Sequence, residues 1–294
     1  MSGVPEISVI IPVFNREISI VRAVKSVIKQ SYENWECLII DDGSTDSTLE
    51  RVRTEFSTDP RFKIIERPKT RIKGGGTCRN IGIEMAIGKY IAFLDSDDEW
   101  EPNKLMRQRE FIRKLNSEKV VIYCQAKIFR KHHTIVLPSF EKSHMTPVEK
   151  YLFLEKGLMQ TSTFFLHRHF AKKILFDENL ARHQDYQFVI TAEEVGACFR
   201  LIEDSLVKVY WNEDYNLEKR GWSPDVSYSF ANQYLKNQMI KEVFIGRNIL
   251  NACILNKMYV EALNIFVKYT YKRLHFYDFI TMIKLLLLGL LKVK

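Results

Sequence analysis

The sequence predicts an α/β fold in which a mostly parallel central sheet carries helices on both faces. Short β-branched apolar runs alternate with stretches of helical apolar spacing through about the first 115 residues, and each run stops at a polar loop. The 294 residues are 46% hydrophobic and 27% charged, a composition typical of globular proteins rather than disordered chains. Because strand and helix alternate, the sheet is expected to be largely parallel.

Four strand–loop–helix units are predicted in this first part of the chain. The strands are residues 7–13, 35–40, 62–66 and 89–94. The helices are residues 18–28, 49–56 and 77–87, with a fourth opening at Glu101-Pro102, where proline suits a first helical turn. The carboxyl ends of such strands are where open α/β sheets bind ligands, so the loops at those ends are the first candidates for a site.

The alternation breaks down near residue 125. Residues 120–124 predict one more strand, residues 126–147 a polar connection, and residues 161–166 and 206–211 two later apolar runs. Residues 224–267 predict helices, and residues 276–291 a last one. We therefore predict a domain over residues 1–223, whose halves meet near residue 125 and bind different ligands, and a helical region over residues 224–294.

The most informative loop follows the fourth strand and reads Asp-Ser-Asp-Asp over residues 95–98. Adjacent carboxylates repel one another, and a hard divalent cation relieves the repulsion while keeping coordination positions for phosphate oxygens. The alternative is a polar turn that starts a helix, since Asp and Ser are ordinary N-cap residues. Further carboxylates within residues 41–48 and 183–185 indicate a site assembled from several strand ends.

The net charge of +8 is concentrated in residues 268–294, which hold six Lys or Arg residues against Asp278. No zinc-finger spacing, RNA-binding aromatic motif or long basic block occurs in the rest of the chain, so nucleic-acid binding is not indicated. Residues 279–291 form a mostly apolar stretch interrupted by Lys284 and are too short to span a bilayer, which needs about 20 apolar residues. They fit an interfacial helix on an anionic membrane, the alternative being a core or oligomer-forming helix.

The remaining composition indicates a cytosolic protein. Five cysteines are scattered without a C-x-x-C pair, so we expect reduced thiols rather than disulfides or metal ligands. No basic leader or cleavage site precedes the first strand, so no signal peptide is expected. The pairs His132/His133 and His167/His169 lack nearby metal-ligating partners in the sequence and are interpreted as solvated or structural.

Four segments, in this order, closely resemble the family 2 glycosyltransferases, which are inverting enzymes of the GT-A fold that use nucleotide-activated sugars. The segments are residues 7–15, 38–46, 78–82 and 93–98. The resemblance is continuous over about the first 115 residues and thins beyond them. It implies a GT-A type, Rossmann-like sheet followed by a C-terminal helical segment. It also implies that residues 1–124 form a nucleotide-sugar-binding half and residues 125–223 an acceptor-binding half.

The resemblance implies that the loop after the first strand borders the nucleotide. Its residues are Pro12, Phe14, Asn15 and Arg16. Asp41, with Asp42 beside it, corresponds to the carboxylate that accepts a hydrogen bond from the base. A carboxylate suits the uracil ring N–H, because an acceptor meets a donor. The alternative is a capping turn in which Ser44 or Thr45 starts the next helix.

Asp95-Ser96-Asp97 corresponds to the D-x-D motif of the family. The resemblance implies that Asp97 coordinates Mn²⁺ or Mg²⁺ and that Asp95 contacts the ribose, with Ser96 between them. A metal here would neutralise the charge that develops on a departing diphosphate. Arg79 corresponds to the arginine of an Arg-Asn pair near the donor. Its alternative role is a structural partner of Asp95 or Asp97.

Asp185 corresponds to the general base at the start of a helix beneath the acceptor, and Gln184 stands where the family often has Glu. Losing that neighbouring charge is expected to lower the pKa of Asp185 and to alter the acceptor preference. The alternative is a capped amphipathic helix. Trp222 is assigned to a loop that closes over donor and acceptor, since aromatic rings suit sugar faces, or otherwise anchors its loop to the core.

The resemblance and these residues together imply a metal-dependent inverting hexosyltransferase that transfers sugar from a UDP-sugar to a hydroxyl of a saccharide in bacterial surface polysaccharide synthesis. The acceptors that are common in the family, together with the basic tail, imply a polyprenyl-diphosphate-linked acceptor. They also imply a cytoplasmic protein held peripherally at the inner face of the cell membrane through residues 268–294. A sugar-nucleotide pyrophosphorylase would need a Gly-rich, Arg-containing loop, which residues 12–16 do not provide. A non-catalytic sugar-nucleotide or glycan-binding module is disfavoured by Asp97 and Asp185.

Overall fold

The computed structural model describes residues 3–115, 117–130, 133–211 and 223–270. These residues divide into two compact units. The first unit holds the described parts of Met1–Val148, Gly157–Leu180 and Gln184–Glu213, and the second those of Glu149–Lys156, Ala181–His183 and Asp214–Lys294. The predicted division into residues 1–223 and 224–294 stays a prediction. Trp222 and residues 271–294, which include the predicted last helix, lie outside the described residues.

The first unit contains the sheet. Its strands are β1 (Ile7–Val13), β2 (Trp35–Asp41), β3 (Phe62–Glu66), β4 (Tyr90–Phe93), β5 (Glu99–Trp100), β6 (Val120–Phe129), β7 (Thr134–Leu137), β8 (Phe165–His167) and β9 (Cys198–Tyr210). Its helices are α1 (Ser19–Ile28), α2 (Thr48–Phe56), α3 (Gly75–Met85), α4 (Lys104–Arg113), α6 (Arg168–Ile174) and α7 (Gln184–Glu194), while α5 (Val148–Phe153) lies almost wholly in the second unit. The first four strands lie within one residue of their predicted bounds.

Nine strands among the described residues form one sheet, in the order β3-β2-β1-β4-β8-β6-β9-β5 with β7 paired to β6. Strands β1 to β4 are parallel, as predicted. β8 then runs antiparallel to both β4 and β6. β6 and β9 are parallel to each other. The predicted α/β class is therefore confirmed, with a parallel half and a mixed half.

Helices cover both faces of the parallel half. Every residue of β1 is buried, as expected for a strand covered on both sides. Successive side chains of a strand point to opposite faces. Val9 and Ile11 join the core that includes residues of α1 and α2. Ile10 faces α3, where a Cβ built on Gly82 would lie 2.4 Å from the Ile10 Cγ2 atom.

The predicted polar connection over residues 126–147 is wrong in its first part. β6 continues from Val120 to Phe129 and pairs with β7, so residue 125 lies inside a strand. The register of β6 against β9 shifts at Gln125, beyond which Lys127 is exposed while Ala126 and Ile128 are buried. The sequence looked polar because only alternate positions of this part of the strand face the core.

The second unit is helical, as predicted for residues 224–267. It contains α8 (Pro224–Tyr234), α9 (Gln238–Phe244), α10 (Leu250–Leu255), α11 (Tyr259–Ile265) and two short π-helical segments, Ile245–Ile249 and Phe266–Thr270. The Phe244 ring packs against Phe153 and Phe230, with centroids 5.1 and 5.3 Å away. Within the described part of the chain, no helix has the length and apolar character needed to cross a membrane.

Candidate active site

The loops that follow β1 and β2 are joined by side-chain hydrogen bonds. Asn15 adopts a positive φ of 49°, a conformation that asparagine tolerates better than most residues. Its backbone N–H donates to Ser44 Oγ at 3.0 Å, and its side-chain Oδ1 accepts from Thr45 N–H at 2.8 Å. Arg16 N–H donates to Thr48 Oγ1 at 2.7 Å. The loops after β1 and β2, which are distant in sequence, are thus held side by side at the ends of the two strands.

The predicted capping turn after β2 has a different construction. Asp46, rather than Ser44 or Thr45, accepts the Thr48 N–H, at 3.0 Å. Asp41 is buried at the end of β2, and its Oδ2 accepts the N–H groups of Gly43 and Ser44, at 3.0 and 2.9 Å. Its Oδ1 is also buried but has no hydrogen-bond partner among the described residues. Such an oxygen is costly to leave unpaired and suits a donor N–H from a ligand.

Asp42 anchors the loop of residues 67–74 between β3 and α3, which is called the glycine loop below. Its Oδ1 accepts from Arg67 Nε at 2.5 Å and from Gly74 N–H at 3.2 Å. In the same loop, the ammonium of Lys73 lies 3.7 Å from the centroid of the Phe14 ring, a cation–π contact. The glycine loop therefore lies next to the β1 loop, and Phe14 is partly covered.

The acidic loop after β4 is held by arginines from three other segments. Arg79 Nη2 forms an ion pair with Asp95 at 2.5 Å. Arg16 lies 3.5 Å from the carboxylate of Asp97, whose side chain is 35% exposed. Arg22 donates to the backbone oxygen of Asp97 at 2.7 Å. The ion pair that was the alternative role of Arg79 is present, and it lies inside the predicted site.

Asp98, the fourth residue of this loop, is buried and reaches toward β8. Its Oδ2 accepts from Ser162 Oγ at 2.6 Å and from Gln160 Nε2 at 3.2 Å. Ser162 Oγ also accepts the N–H of Asp95, at 3.0 Å. Burial raises the pKa of Asp98 well above its usual range, and the charges of Asp95 and Asp97 raise it further. These contacts fix the shape of the loop.

Arg79 links the acidic loop to the start of α7. Its Nη1 donates to Gln184 Oε1 at 2.7 Å, while its Nη2 holds Asp95. The next residue, Asn80, donates to the backbone oxygen of Phe176 and accepts its N–H, both at 2.8 Å. The Arg-Asn pair therefore has two functions: Arg79 contacts the site and Asn80 holds the segment that leads to α7.

Asp185 is the second residue of α7 and is partly buried, with its Oδ1 accepting the Tyr186 N–H at 2.9 Å. Burial raises its pKa to about 6. The negative charge of Asp95 acts in the same direction, and Arg79 opposes it. The lowering expected from Gln184 is thus outweighed by burial. A carboxylate with such a pKa is mostly ionised at pH 7 and yet more basic than an ordinary Asp.

The structure places most predicted site residues around one edge of the sheet. The exceptions are Pro12, which is buried within β1 opposite Ile40, and Trp222, which lies outside the described residues. Ser96 is buried between Asp95 and Asp97. Sequence reasoning missed Arg22 and Ser162, because each contacts the acidic loop from far away in the chain.

The acidic loop fits a divalent cation by its chemistry. It offers hard carboxylate oxygens, and the Asp97 side chain is 35% exposed, with Arg16 3.5 Å from its carboxylate. Burial is the main cause of the raised pKa of Asp98, and the nearby negative charges of Asp95 and Asp97 raise it further. Within the described residues, no three carboxylates of this loop converge closely enough to form a complete cage. Mg²⁺ sites in proteins commonly use one or two carboxylates, completed by substrate phosphates and water, and this loop can supply such carboxylates.

A family model described as glycosyl transferase family 2 matches residues 8–175, more than half of the chain. The chain belongs to glycosyltransferase family 2. Among curated members, the amylovoran biosynthesis glycosyltransferase AmsB of Erwinia amylovora is 34% identical over 228 residues, which cover 76% of this chain and 74% of AmsB. This family 2 enzyme therefore shares most of its length with that relative.

Two other similar proteins carry more specific names. WfgD of Escherichia coli, a UDP-Glc:α-D-GlcNAc-diphosphoundecaprenol β-1,3-glucosyltransferase, is 44% identical over 110 residues, 37% of this chain and 42% of WfgD. The crystal structure of S. aureus TarS 1-349 in complex with UDP-GlcNAc is similar with a TM-score of 0.65 and 22% identity, covering 91% of this chain and 74% of that one. At this identity the likeness confirms the GT-A type fold of the family 2 chain.

Proposed function

We propose that this chain is a metal-dependent, inverting glycosyltransferase that moves sugar from a UDP-sugar to a hydroxyl of a saccharide acceptor. The observation that carries the proposal is the network in which Arg79 joins Asp95 of the acidic loop to Gln184, the residue before Asp185. Asp95, on the proposed donor side, and Asp185, on the proposed acceptor side, thus lie close enough for the charge of Asp95 to raise the pKa of Asp185.

The donor nucleotide is UDP. The buried Oδ1 of Asp41 lacks a donor among the described residues, and a uracil ring N–H supplies one. Phe14, Asn15 and Arg16 border the base and ribose, with Asp42 keeping the glycine loop in place beside them. The name of WfgD, which specifies UDP-Glc as donor, supports the same nucleotide for this chain.

Asp97 is the residue of this loop that would hold the metal, Mn²⁺ or Mg²⁺. A bound divalent cation at this position offsets the charge that develops on the departing diphosphate. Arg16 supplies positive charge 3.5 Å from the Asp97 carboxylate, and Asp95 is kept in place by Arg79 for contact with the ribose. Ser96 spaces the two carboxylates and is buried in the loop.

Asp185 acts as the general base. It takes the proton of the acceptor hydroxyl, and the oxygen forms a bond to the anomeric carbon. The bond from that carbon to the phosphate oxygen of UDP breaks on the opposite face, and UDP leaves with the electron pair. An α-linked donor therefore gives a β-linked product in a single displacement. Gln184 and Trp222 are assigned to acceptor binding.

The acceptor is a lipid-linked saccharide of bacterial surface polysaccharide synthesis. The names of the relatives support this choice, because AmsB is named for amylovoran biosynthesis and WfgD for an acceptor linked to diphosphoundecaprenol. The basic residues of 268–294 are proposed to hold the enzyme at the cytoplasmic face of the anionic inner membrane.

The direct test is release of UDP from a panel of UDP-sugars, with manganese or with a chelator. We expect turnover of one sugar that requires both the metal and Asp97, so that Asp97→Ala lowers kcat by about 10²-fold or more. Glu110→Ala is the matched control, since it removes an exposed carboxylate of α4 and should leave kcat unchanged. Turnover that survives both the chelator and Asp97→Ala would contradict the metal assignment.

Binding of UDP-sugars, measured alongside turnover, distinguishes the transferase from the alternative functions. Binding of a UDP-sugar without turnover, in the presence of saccharide acceptors, would favour the non-catalytic binding module. Neither turnover nor UDP binding, with the folded protein verified by circular dichroism, would overturn the choice of UDP and direct the search to other nucleotides.

A further inference from the structure

Glu118, His167 and His169 meet at the opposite edge of the sheet from the acidic loop. His167 ends β8 and pairs with Tyr90, the first residue of β4, whereas Asp95 follows the far end of β4. His169 lies in the first turn of α6, and Glu118 lies in the connection that precedes β6. This cluster therefore belongs to the first unit but not to the proposed glycosyl-transfer site.

One ligand atom from each of the three residues lies within 4.8 Å of those of the other two. Glu118 Oε2 and His169 Nε2 are 3.1 Å apart, and the two imidazole centroids are 5.4 Å apart. His167 is buried and its ring packs 4.8 Å from that of Tyr90, so its orientation is fixed. The other two side chains are exposed and can adjust. The sequence shows no metal-ligating partner near His167 and His169, whereas the fold brings the carboxylate of Glu118, which is distant in sequence, close to both imidazoles.

We propose that Glu118, His167 and His169 bind a Zn²⁺ ion, with water completing the coordination. Two imidazole nitrogens and one carboxylate oxygen form a donor set that zinc takes in proteins, at bonds of about 2.0–2.2 Å. Imidazole ligands select zinc over magnesium, which prefers oxygen. This ion is thus chemically distinct from the Mn²⁺ or Mg²⁺ assigned to Asp97.

The surroundings set the expected strength of the site. The ammonium of Lys89 lies 5.2 Å from the Tyr90 ring and places a positive charge near His167. Only one carboxylate offsets the charge of the ion, and Glu118 and His169 are exposed to water. We therefore expect micromolar affinity rather than the tight binding of a closed structural zinc site. The ion would tie the connection between α4 and β6 to the β8–α6 junction.

The test is isothermal titration of ZnCl₂ into the untagged 294-residue chain, with excess Mg²⁺ present to compete at the acidic loop. We expect one saturable micromolar site, and Glu118→Gln and His169→Gln should each weaken it by at least about tenfold. His133→Gln, at an exposed histidine outside the cluster, is the matched control and should leave the affinity unchanged. Undiminished affinity in His169→Gln, or no saturable binding, would overturn the proposal.

A second measurement identifies the ligands. Cys198 Sγ lies 3.4 Å from His144 Nδ1 and is the competing place for zinc. The Co²⁺-loaded protein should lack the thiolate charge-transfer band that a Cys198 ligand would produce, and Cys198→Ser should not change the titration. A thiolate band that disappears in Cys198→Ser would assign the ion to that pair instead. Neither readout depends on glycosyl transfer, so failure of one proposal leaves the other testable.

Discussion

Asp185, the proposed general base, is partly buried and would have to be ionised to accept a proton. In the folded protein its pKa is about 6, against an ordinary value of 3.8, and burial is the main cause. The neighbouring Asp95 adds to the effect, while Arg79 reduces it. The same burial therefore makes Asp185 a stronger base and makes its charged form costly to the fold. The raised pKa should affect both the pH dependence of the reaction and the stability of the folded protein.

The first concerns the pH dependence of the reaction. Since the base acts only when ionised, kcat/KM should rise about tenfold per pH unit up to about pH 6 and level off above it. A series of kcat/KM measurements in constant ionic strength buffers checks this, with Glu110→Gln as a control that should give the same profile. A profile that is level down to about pH 4.5 would show that Asp185 is not the titrating base.

The second concerns the stability of Asp185→Asn. The folded-state pKa is raised, so the ionised carboxylate lowers stability progressively as pH rises from about 4 to about 6, and by a constant amount above. Removing the charge should raise the free energy of unfolding by about 1–3 kcal/mol at pH 8, and by less at pH 5. The same variant should lose about 10²–10⁴-fold in kcat.

Urea denaturation at the two pH values measures the effect on stability. Glu110→Gln again serves as the control, because it removes an exposed carboxylate and should change stability by less than about 0.5 kcal/mol at either pH. A destabilised Asp185→Asn at pH 8 would mean that the charge is compensated in the folded protein by a partner, and would weaken its assignment as the base.

At the scale of elements, α3 determines where Arg79 lies. The helix packs closely on β1 because Gly82 has no side chain: a Cβ there would lie 2.4 Å from Cγ2 of Ile10. From this position Arg79 reaches Asp95 and Gln184, and Asn80 reaches the backbone of Phe176. The close packing of α3 on β1 thus helps to position Arg79 and Asn80 in the candidate site.

Gly82→Ala should force α3 away from β1. We expect a loss of about 1–3 kcal/mol in the free energy of unfolding, because the Ile10 side chain is fully buried and cannot yield freely. Ile10→Ala should relieve the overlap, so the double variant should lose less than the sum of the two single losses, by about 0.5 kcal/mol or more. Strict additivity in chemical denaturation would contradict this account of the helix position.

At the scale of the whole molecule, the sequence predicts the parallel half well and the mixed half poorly. β1 to β4 are short, apolar and separated by polar loops, so each is recognisable by itself. β6 was predicted too short because its second part alternates buried and exposed residues beside a register shift. The antiparallel insertion of β8 between β4 and β6 depends on pairing between distant segments, which no local pattern encodes.

The candidate site follows the same division. Asp41 ends a strand, Asp97 lies in the loop after one and Asp185 lies at the start of a helix, and each belongs to a motif that can be recognised in the sequence. The contacts of Ser162 with Asp95 and Asp98 were not predictable, since they join segments more than 60 residues apart. The raised pKa of Asp185 was also inaccessible, because it depends on burial in the folded chain.

The proposed function rests on a single displacement in which Asp185 takes the proton of the acceptor hydroxyl. The most direct test is the anomeric configuration of the first-formed product, followed by proton NMR with the α-linked UDP-sugar that the enzyme turns over. We expect a β-linked product from the earliest spectra. An α-linked product would require two displacements or attack from the same face as the leaving group, and would contradict the proposed role of Asp185.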